Sequence, residues 1–76
     1  MHSIRVSVLI QAVGKRILEA SKEIEKIEGI KTVHVVVGTF DAIAYAELNS
    51  TNELKQLLNS IHRIEGIART ETCIAV

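Results

Sequence analysis

The sequence contains no proline, no tryptophan, one cysteine and only 3% aromatic residues. One cysteine cannot form an internal disulfide, and no cysteines and histidines cluster at the spacing of a structural zinc site. A chain of 76 residues buries only about 60% of the surface that its unfolded form exposes, so its core alone gives marginal stability. We therefore expect self-association to stabilise this domain.

Long apolar runs and an excess of charge are also missing. The longest apolar run, residues 42–46, is far shorter than the roughly 20 residues that cross a membrane, and no signal peptide is predicted. Lysine and arginine number 9, as do aspartate and glutamate, whereas a free-standing nucleic-acid binder usually carries a basic face. The sequence therefore predicts a cytoplasmic protein with no membrane segment and no direct nucleic-acid binding.

The tetrapeptide Ile-Glu-Gly-Ile occurs twice, at residues 27–30 and 64–67. Each copy follows a run with helical hydrophobic spacing and precedes a run with the character of a strand. The chain is thus predicted to consist of two similar halves, each with the order strand, helix, strand.

Hydrophobic spacing predicts three elements in the first half. Residues 4–10 alternate between apolar and polar positions, as a half-buried strand does. Residues 15–27 have the period of an amphipathic helix, and Gly29 is predicted to end that helix in the left-handed C′ position. Residues 30–37 are rich in β-branched side chains and predict a second strand.

The second half begins with a hairpin. A short connection leads to a third strand, residues 42–48, which is predicted to be the antiparallel neighbour of the second. Ser50 and Glu53 fit a capping box, in which the serine hydroxyl accepts from the glutamate amide and the glutamate carboxylate reaches back. A helical stripe follows over residues 54–64, and residues 67–76 predict a fourth strand.

The order βαββαβ predicts an α+β, ferredoxin-like fold, in which a four-stranded antiparallel sheet carries both helices on one face. The pleat assigns one set of residues to the helix-covered face: Val6, Val8, Val33, Val35, Ala44, Ala46 and Leu48. The opposite, open face is predicted to carry Leu9, His34, Val36, Ile43, Tyr45, Arg69 and Glu71. This mixture is more apolar than an ordinary solvated surface, which favours an interface.

Several activities found on this fold need residues that the chain lacks. A heavy-metal-binding domain carries Cys-x-x-Cys after its first strand, whereas residues 11–14 contain no thiol. An RNA-recognition domain stacks bases on aromatic rings of its central strands, where only Tyr45 is available. Neither activity is predicted.

Catalytic groups are not brought together by the predicted elements. His2, His34 and His62 fall on the N-terminus, a strand and a helix, and His62 is expected to be solvated. His34 is expected to be packed or hydrogen-bonded. Cys73 has no predicted base beside it and is expected to be a small buried hydrophobe. Neither an enzyme nor a cofactor is predicted.

The segment with chemical character is the hairpin connection at residues 37–41. Gly38 is followed three positions later by Asp41. Spacing alone favours turn chemistry, in which Gly38 supplies a positive φ and Asp41 bonds to its own backbone. A ligand-binding loop is the alternative.

Three segments carry a resemblance to a known family: Ile-Glu-Gly-Ile-Lys-Thr-Val at 27–33, Gly-Thr-Phe-Asp at 38–41, and Ile-Glu-Gly-Ile-Ala-Arg-Thr-Glu-Thr at 64–72. Together they resemble the effector-binding (RAM) domain of the leucine-responsive/asparagine regulator (Lrp/AsnC) family. The resemblance covers nearly the whole chain and implies one RAM-like ligand-binding domain over residues 1–76. Family members usually carry a helix-turn-helix before this domain, so a stand-alone RAM protein is expected.

The resemblance also implies a quaternary arrangement. Sheets of that family pack face to face in a dimeric α/β-barrel type of association, and the homodimers assemble into rings, often octamers. The implied dimer interface here is Leu9, His34, Val36, Ile43 and Tyr45. A full-length regulator of the family is a further implied partner.

An amino-acid effector is implied to bind between dimers, near the hairpin and the last strand. Carried over residue by residue, the ligand-binding residues are Gly38, Thr39, Phe40 and Asp41, with Thr70 and Thr72 as weaker candidates. The ligand's α-ammonium would pair with the Asp41 carboxylate, while turn amides and threonine hydroxyls would hold its α-carboxylate.

The leading hypothesis is a non-enzymatic amino-acid-sensing and oligomerisation module without a DNA-binding domain. One alternative is an ACT-like regulatory domain, another βαββαβ module, in which Gly14 would contribute to a pocket at a side-by-side dimer interface. A second alternative is a purely structural assembly module with no ligand.

Overall fold

The computed structural model describes residues 3–76 and confirms the ferredoxin-like fold. Its elements are β1 (Ile4–Ala12), α1 (Ile17–Glu25), β2 (Ile30–Val35), β3 (Ala42–Leu48), α2 (Thr51–His62) and β4 (Ile67–Ile74). The four antiparallel strands form one sheet in the order β2-β3-β1-β4, so β1 and β3 are central. His2 lies outside the described residues. Over residues 3–76, neither helix is long and apolar enough to span a membrane.

Helix α1 is shorter than the predicted range of residues 15–27. It starts late because the Arg16 amide donates to the Val13 carbonyl at 3.3 Å, which makes a turn before the helix. It ends early because the Ile27 amide donates to the Ile24 carbonyl at 3.0 Å, a 3₁₀-type bond that tightens the last turn. Strands β2 and β4 also end two residues before their predicted limits, whereas β1 extends two residues further.

The repeated tetrapeptide forms a tight turn in both halves. The amide of its last isoleucine donates to the carbonyl of its first, at 3.2 Å in the first copy and 3.4 Å in the second. Its third residue, Gly29 or Gly66, has a φ of +98° or +96°, which a type II turn requires at that position. An added Cβ would also lie 2.6 Å from Leu48 in the first copy and 2.8 Å from Arg16 in the second. The prediction of Gly29 at C′ is therefore wrong, because α1 is already capped at Lys26.

The hydrophobic core lies between the central strands and the two helices. Five strand residues are buried as predicted: Val6, Val8, Ala44, Ala46 and Leu48. The remaining core residues are Ile10, Ala20, Ile24, Ala42, Leu57 and Ile61. Small alanines on β3 thus share one layer with large aliphatic side chains from the helices, a combination that lets the layer interdigitate.

The prediction for β2 is wrong in part. Val33 is half-buried and packs against the core, but Val35 is 44% exposed. The reason is that β2 is an edge strand, with a neighbouring strand on one side only. Val36, which was predicted to lie on this strand, belongs instead to the hairpin loop, because β2 ends at Val35.

The predicted capping box is present at the start of α2. The Ser50 hydroxyl accepts a hydrogen bond from the Glu53 amide at 3.2 Å, and Ser50 itself is extended, as an N-cap residue should be. The Glu53 carboxylate reaches back to the Asn49 amide at 3.4 Å, one residue earlier than the usual partner. The serine hydroxyl is thus the main acceptor for the free amides of this helix end.

We expect Ser50→Ala to lower the free energy of unfolding by about 1 kcal/mol, because the Glu53 amide then loses its acceptor. Urea denaturation of both proteins measures the difference. Ser50→Asp is the matched control, because aspartate also caps helices and should keep most of the stability. Equal stability of the alanine variant and the wild type would contradict a capping role.

Candidate functional site

The hairpin loop, residues 36–41, is closed and attached to the central strand β1. The Val36 amide donates to the Asp41 carbonyl at 2.9 Å, which closes the loop. The Asp41 amide donates to the Ile10 carbonyl at 2.8 Å, which fixes the loop beside the C-terminal end of β1. The position of the loop backbone is therefore set by the sheet.

The Asp41 side chain makes a second connection to β1. Its Oδ2 accepts from the Ala12 amide at 2.8 Å in a partly buried bond. The pairing of β1 with β4 shifts register between Gln11 and Ala12, and such a bulge interrupts the ladder of backbone bonds. Asp41 supplies the Ala12 amide with an acceptor there. The predicted bond of Asp41 to its own backbone is thus wrong.

Gly38 does not have the positive φ predicted for it. Among the described residues, the glycines with positive φ are Gly14, Gly29 and Gly66. A Cβ added at Gly38 would meet no atom within 4 Å, so neither backbone conformation nor crowding within the monomer requires a glycine there. Gly38 and Thr39 are exposed and Phe40 is half-buried, which leaves the backbone at the loop tip accessible.

Arg69 of β4 extends the site beyond the hairpin. Its guanidinium carbon lies 5.6 Å from the centroid of the Phe40 ring, a cation–π contact. Arg69 is paired with Gln11 across the β1–β4 ladder, and Nε2 of the Gln11 side chain donates to the Thr39 carbonyl at 3.4 Å. We call the group formed by Gln11, Thr39, Phe40, Asp41 and Arg69 the hairpin rim. The sequence reasoning placed Arg69 on the open face but did not assign it to the site.

The structure places Thr70 and Thr72 on the other side of the sheet. They pair with Ile10 and Val8, which point into the core beneath the helices. The Thr70 hydroxyl lies 3.0 Å from Nε2 of His62 on α2. His62 itself is exposed, as predicted. The two threonines and the hairpin rim are therefore not brought together within one chain.

The open face carries the predicted apolar residues at its centre. Leu9 pairs with Ile43, and Ser7 pairs with Tyr45, and all four are half-buried although no helix covers this face. The Tyr45 hydroxyl donates to the Glu47 carboxylate at 3.0 Å. Desolvation of the hydroxyl and then this bond raise the pKa of Tyr45.

Two predictions at the margins of this face are wrong. His34, expected to be packed or hydrogen-bonded, is exposed because it lies on the edge strand β2. Cys73, expected to be buried, is exposed on the other edge strand, opposite Ser7 of β1. Within residues 3–76, no group of three or more histidines, cysteines or carboxylates is arranged to hold a metal ion.

Comparison with known proteins relates this geometry to one family. Residues 5–76 match the family model of the Lrp/AsnC ligand binding domain. A helix-turn-helix transcriptional regulator of Pyrococcus furiosus is 28% identical over 67 residues, which make up 88% of this chain and 45% of the regulator. The chain thus spans about half the length of the curated relative that it matches.

Solved structures share the fold closely. A protein of Thermus thermophilus superposes with a TM-score of 0.91 at 31% identity, covering 96% of this chain and 92% of that one. A feast or famine regulatory protein of M. tuberculosis, solved as a complex with L-methionine, gives a TM-score of 0.81 at 22% identity. That match covers 96% of this chain and 50% of the regulatory protein, and at this identity it shows the fold alone.

Proposed function

Because the chain belongs to the Lrp/AsnC ligand-binding domain family, we propose that it is a non-enzymatic module that binds an amino acid or a related metabolite at the hairpin rim. The observation that supports this most directly is the loop itself. Its backbone is fixed to β1 through Asp41, while Gly38 and Thr39 at its tip are exposed. A loop held at its base, with exposed residues at its tip, suits a ligand that carries a carboxylate, because backbone amides there could donate to it.

The Asp41 carboxylate has capacity for a ligand in addition to its structural bond. A carboxylate offers about four acceptor positions, and the Ala12 amide occupies one of them, on Oδ2. An α-ammonium group of an amino acid would take another, in a charge-assisted hydrogen bond. The bond to Ala12 would hold the carboxylate in place for this contact.

L-Methionine is a reasonable first ligand to test, because it is bound in the M. tuberculosis structure with the same fold. The proposal itself concerns the zwitterionic head group, which the hairpin rim would recognise. Specificity for the ligand's side chain would depend on the surface that faces the hairpin rim in the assembled protein. The full set of twenty amino acids is therefore part of the test.

We further propose that the open face pairs two chains into a homodimer, and that dimers assemble into a ring, with an octamer as the expected size. The half-buried Leu9, Ile43 and Tyr45 support this, since they form an apolar centre that no helix covers. Val36 and His34 would lie toward the edge of that interface. In this arrangement the hairpins of neighbouring dimers would approach each other, and Thr70 and Thr72 of one chain would contribute to a site only through the partner.

The relative with a helix-turn-helix supports a role in transcription regulation. The proposed route is a mixed assembly in the cytoplasm with a full-length regulator of the same family, which would supply the contact with DNA. Family membership decides against the ACT-like alternative, since the match to the Lrp/AsnC model covers residues 5–76.

One observation favours the second alternative, a structural assembly module without a ligand. The Asp41 carboxylate already has a partner within the chain, at 2.8 Å. If that bond is its only task, Asp41 stabilises the hairpin and binds nothing. The two functions predict different behaviour for two substitutions at this position.

We expect Asp41→Asn to weaken amino-acid binding roughly ten- to hundredfold, about 1.5 to 3 kcal/mol, with little loss of stability. The asparagine carbonyl can still accept from the Ala12 amide but lacks the charge that pairs with ammonium. Isothermal titration with the twenty amino acids, L-methionine first, measures affinity, and thermal melting of the ligand-free protein measures stability.

Comparison of Asp41→Ala with Asp41→Asn separates the two roles of the side chain. Asp41→Ala should lose both ligand affinity and stability, because it also leaves the Ala12 amide without an acceptor. Unchanged affinity in Asp41→Asn would overturn the role of Asp41 in binding. If no amino acid raises the wild-type melting temperature at millimolar concentration, the sensing function itself is wrong and the structural module is the better account.

A further inference from the structure

We propose that Arg69 binds a carboxylate of the ligand and that the Phe40 ring holds the guanidinium in position for it. This inference rests on the proposed function, because it assigns a partner to the negative end of an amino acid. The sequence reasoning gave that role to turn amides and threonine hydroxyls, of which Thr70 and Thr72 now lie on the far side of the sheet.

A cation at the hairpin rim would be a stronger partner for the negative end of a zwitterion than the neutral loop backbone. The acidic residue of the rim, Asp41, suits the ammonium end of the ligand. Arg69 is the basic residue of the rim, and its planar guanidinium can donate two parallel hydrogen bonds to one carboxylate. The rim therefore presents one group of each sign, on two elements that the sheet holds side by side.

The contact with Phe40 restricts how Arg69 can point. The guanidinium carbon is 5.6 Å from the ring centroid, within the range of an attractive cation–π contact. An arginine stacked in this way loses less freedom when it binds than a freely rotating one. Phe40 is a positioning residue in this proposal, because it acts through Arg69.

The present partner of Arg69 is weak enough to be replaced. The Arg69 guanidinium lies 3.8 Å from the Glu71 carboxylate, and the two side chains are 61% and 53% exposed. Exposed ion pairs of this kind contribute little free energy. A ligand carboxylate bound in bidentate geometry would compete favourably with Glu71.

The carboxylate could come from either end of the ligand, and the experiment distinguishes the two sources. L-Methionine is compared with L-methioninamide, which lacks a charged α-carboxylate. L-Glutamate is compared with L-glutamine, which lacks only the side-chain charge. Any other amino acid that binds the wild type is compared with its own α-amide. The carboxylate that Arg69 binds is the one whose ligand binds the wild type more tightly than the matching amide but binds the Arg69 variant no more tightly.

We expect Arg69→Gln to weaken binding of the carboxylate ligand at least tenfold in isothermal titration, with no further loss for the matching amide. Arg69→Lys should give an intermediate loss, since lysine keeps the charge but not the planar fork. Glu71→Gln should bind two- to tenfold more tightly, because it removes the competitor, an effect that a merely structural Arg69 would not produce. Arg63→Gln is the control, with the same change of charge at an exposed C-cap of α2.

The outcomes separate this inference from the function on which it rests. If the wild type binds none of the twenty amino acids, the proposed function fails and Arg69 loses its role with it. If the wild type binds but Arg69→Gln binds equally well, the inference is wrong while the function stands. Equal losses in Arg69→Gln and Arg63→Gln would also overturn it, because net charge alone would then explain the effect.

Discussion

Ile61→Ala is expected to lower the free energy of unfolding by about 2 to 5 kcal/mol. Ile61 lies on α2, is fully buried, and belongs to the cluster that joins both helices to the central strands. The truncation removes three carbon atoms, and the small alanines of β3 cannot fill the space that is left. At about 0.05 to 0.15 kcal/mol per residue, a domain of 76 residues has only about 4 to 11 kcal/mol in total, so the variant should be partly unfolded at 37 °C.

Urea denaturation with linear extrapolation measures this loss. Ile74→Ala is the matched control, because the same truncation on β4 affects a side chain that is 54% exposed and should change stability by less than about 1 kcal/mol. Ile61→Val should cost only about 0.5 to 1.5 kcal/mol. If the two alanine variants were equally stable, the layer beneath the helices would not be the main source of stability. The unfolding of all variants should be measured at several protein concentrations, because assembly adds to the apparent stability.

Five of the seven residues predicted for the helix-covered face are buried, because the alternation of side chains along a strand is a local signal. Strand β3 matches its predicted range. Its side chains alternate regularly between the two faces, and polar residues lie immediately before and after this run. The ends of α1 could not be predicted from the helical spacing of its apolar residues. There, single hydrogen bonds such as that from Arg16 to Val13 decide between helix and turn. The edge position of β2 likewise exposes Val35, and no alternation pattern shows which strand is outermost.

The repeated tetrapeptide shows how a correct observation led to a wrong position. Gly29 does have the positive φ predicted for it, and Gly66 in the second copy has one as well. The helix, however, ends before the tetrapeptide, which itself forms the turn that leads into the next strand. A glycine after a helical run is compatible with both arrangements, and only the hydrogen-bond pattern separates them.

The candidate site depends on which residues meet across strands, and this is where sequence reasoning was weakest. The motif identified the hairpin, but the bond between Asp41 and Ala12 joins residues 29 positions apart. Thr70 and Arg69 are neighbours in sequence yet lie on opposite faces of β4, one near His62 and the other over Phe40. The period of two in a strand already separates them without any knowledge of register, since Arg69 was predicted on the open face, but the residues implied by the family resemblance were not checked against it.

The open face provides the last prediction, which concerns assembly. We expect Ile43→Asp to weaken self-association at least about a hundredfold, close to 2.7 kcal/mol, because an interface would have to bury an unpaired carboxylate. Ile43 lies on the central strand β3, opposite Leu9, and is half-buried in the single chain. Its side chain points away from the helices, so the fold of the monomer should tolerate the change.

Light scattering after size exclusion measures the mass, and circular dichroism checks that the variant is folded. The wild type should elute as a dimer or larger species at low micromolar concentration, and Ile43→Asp should shift toward the 8.4 kDa monomer. Leu18→Asp is the matched control, since Leu18 is an equally large hydrophobe that is 63% exposed on α1, on the helix side. A wild type that is already monomeric would refute the proposed dimer. A loss of assembly in Leu18→Asp with none in Ile43→Asp would instead place the interface on the helices, because a buried charge disrupts only the surface that contains it.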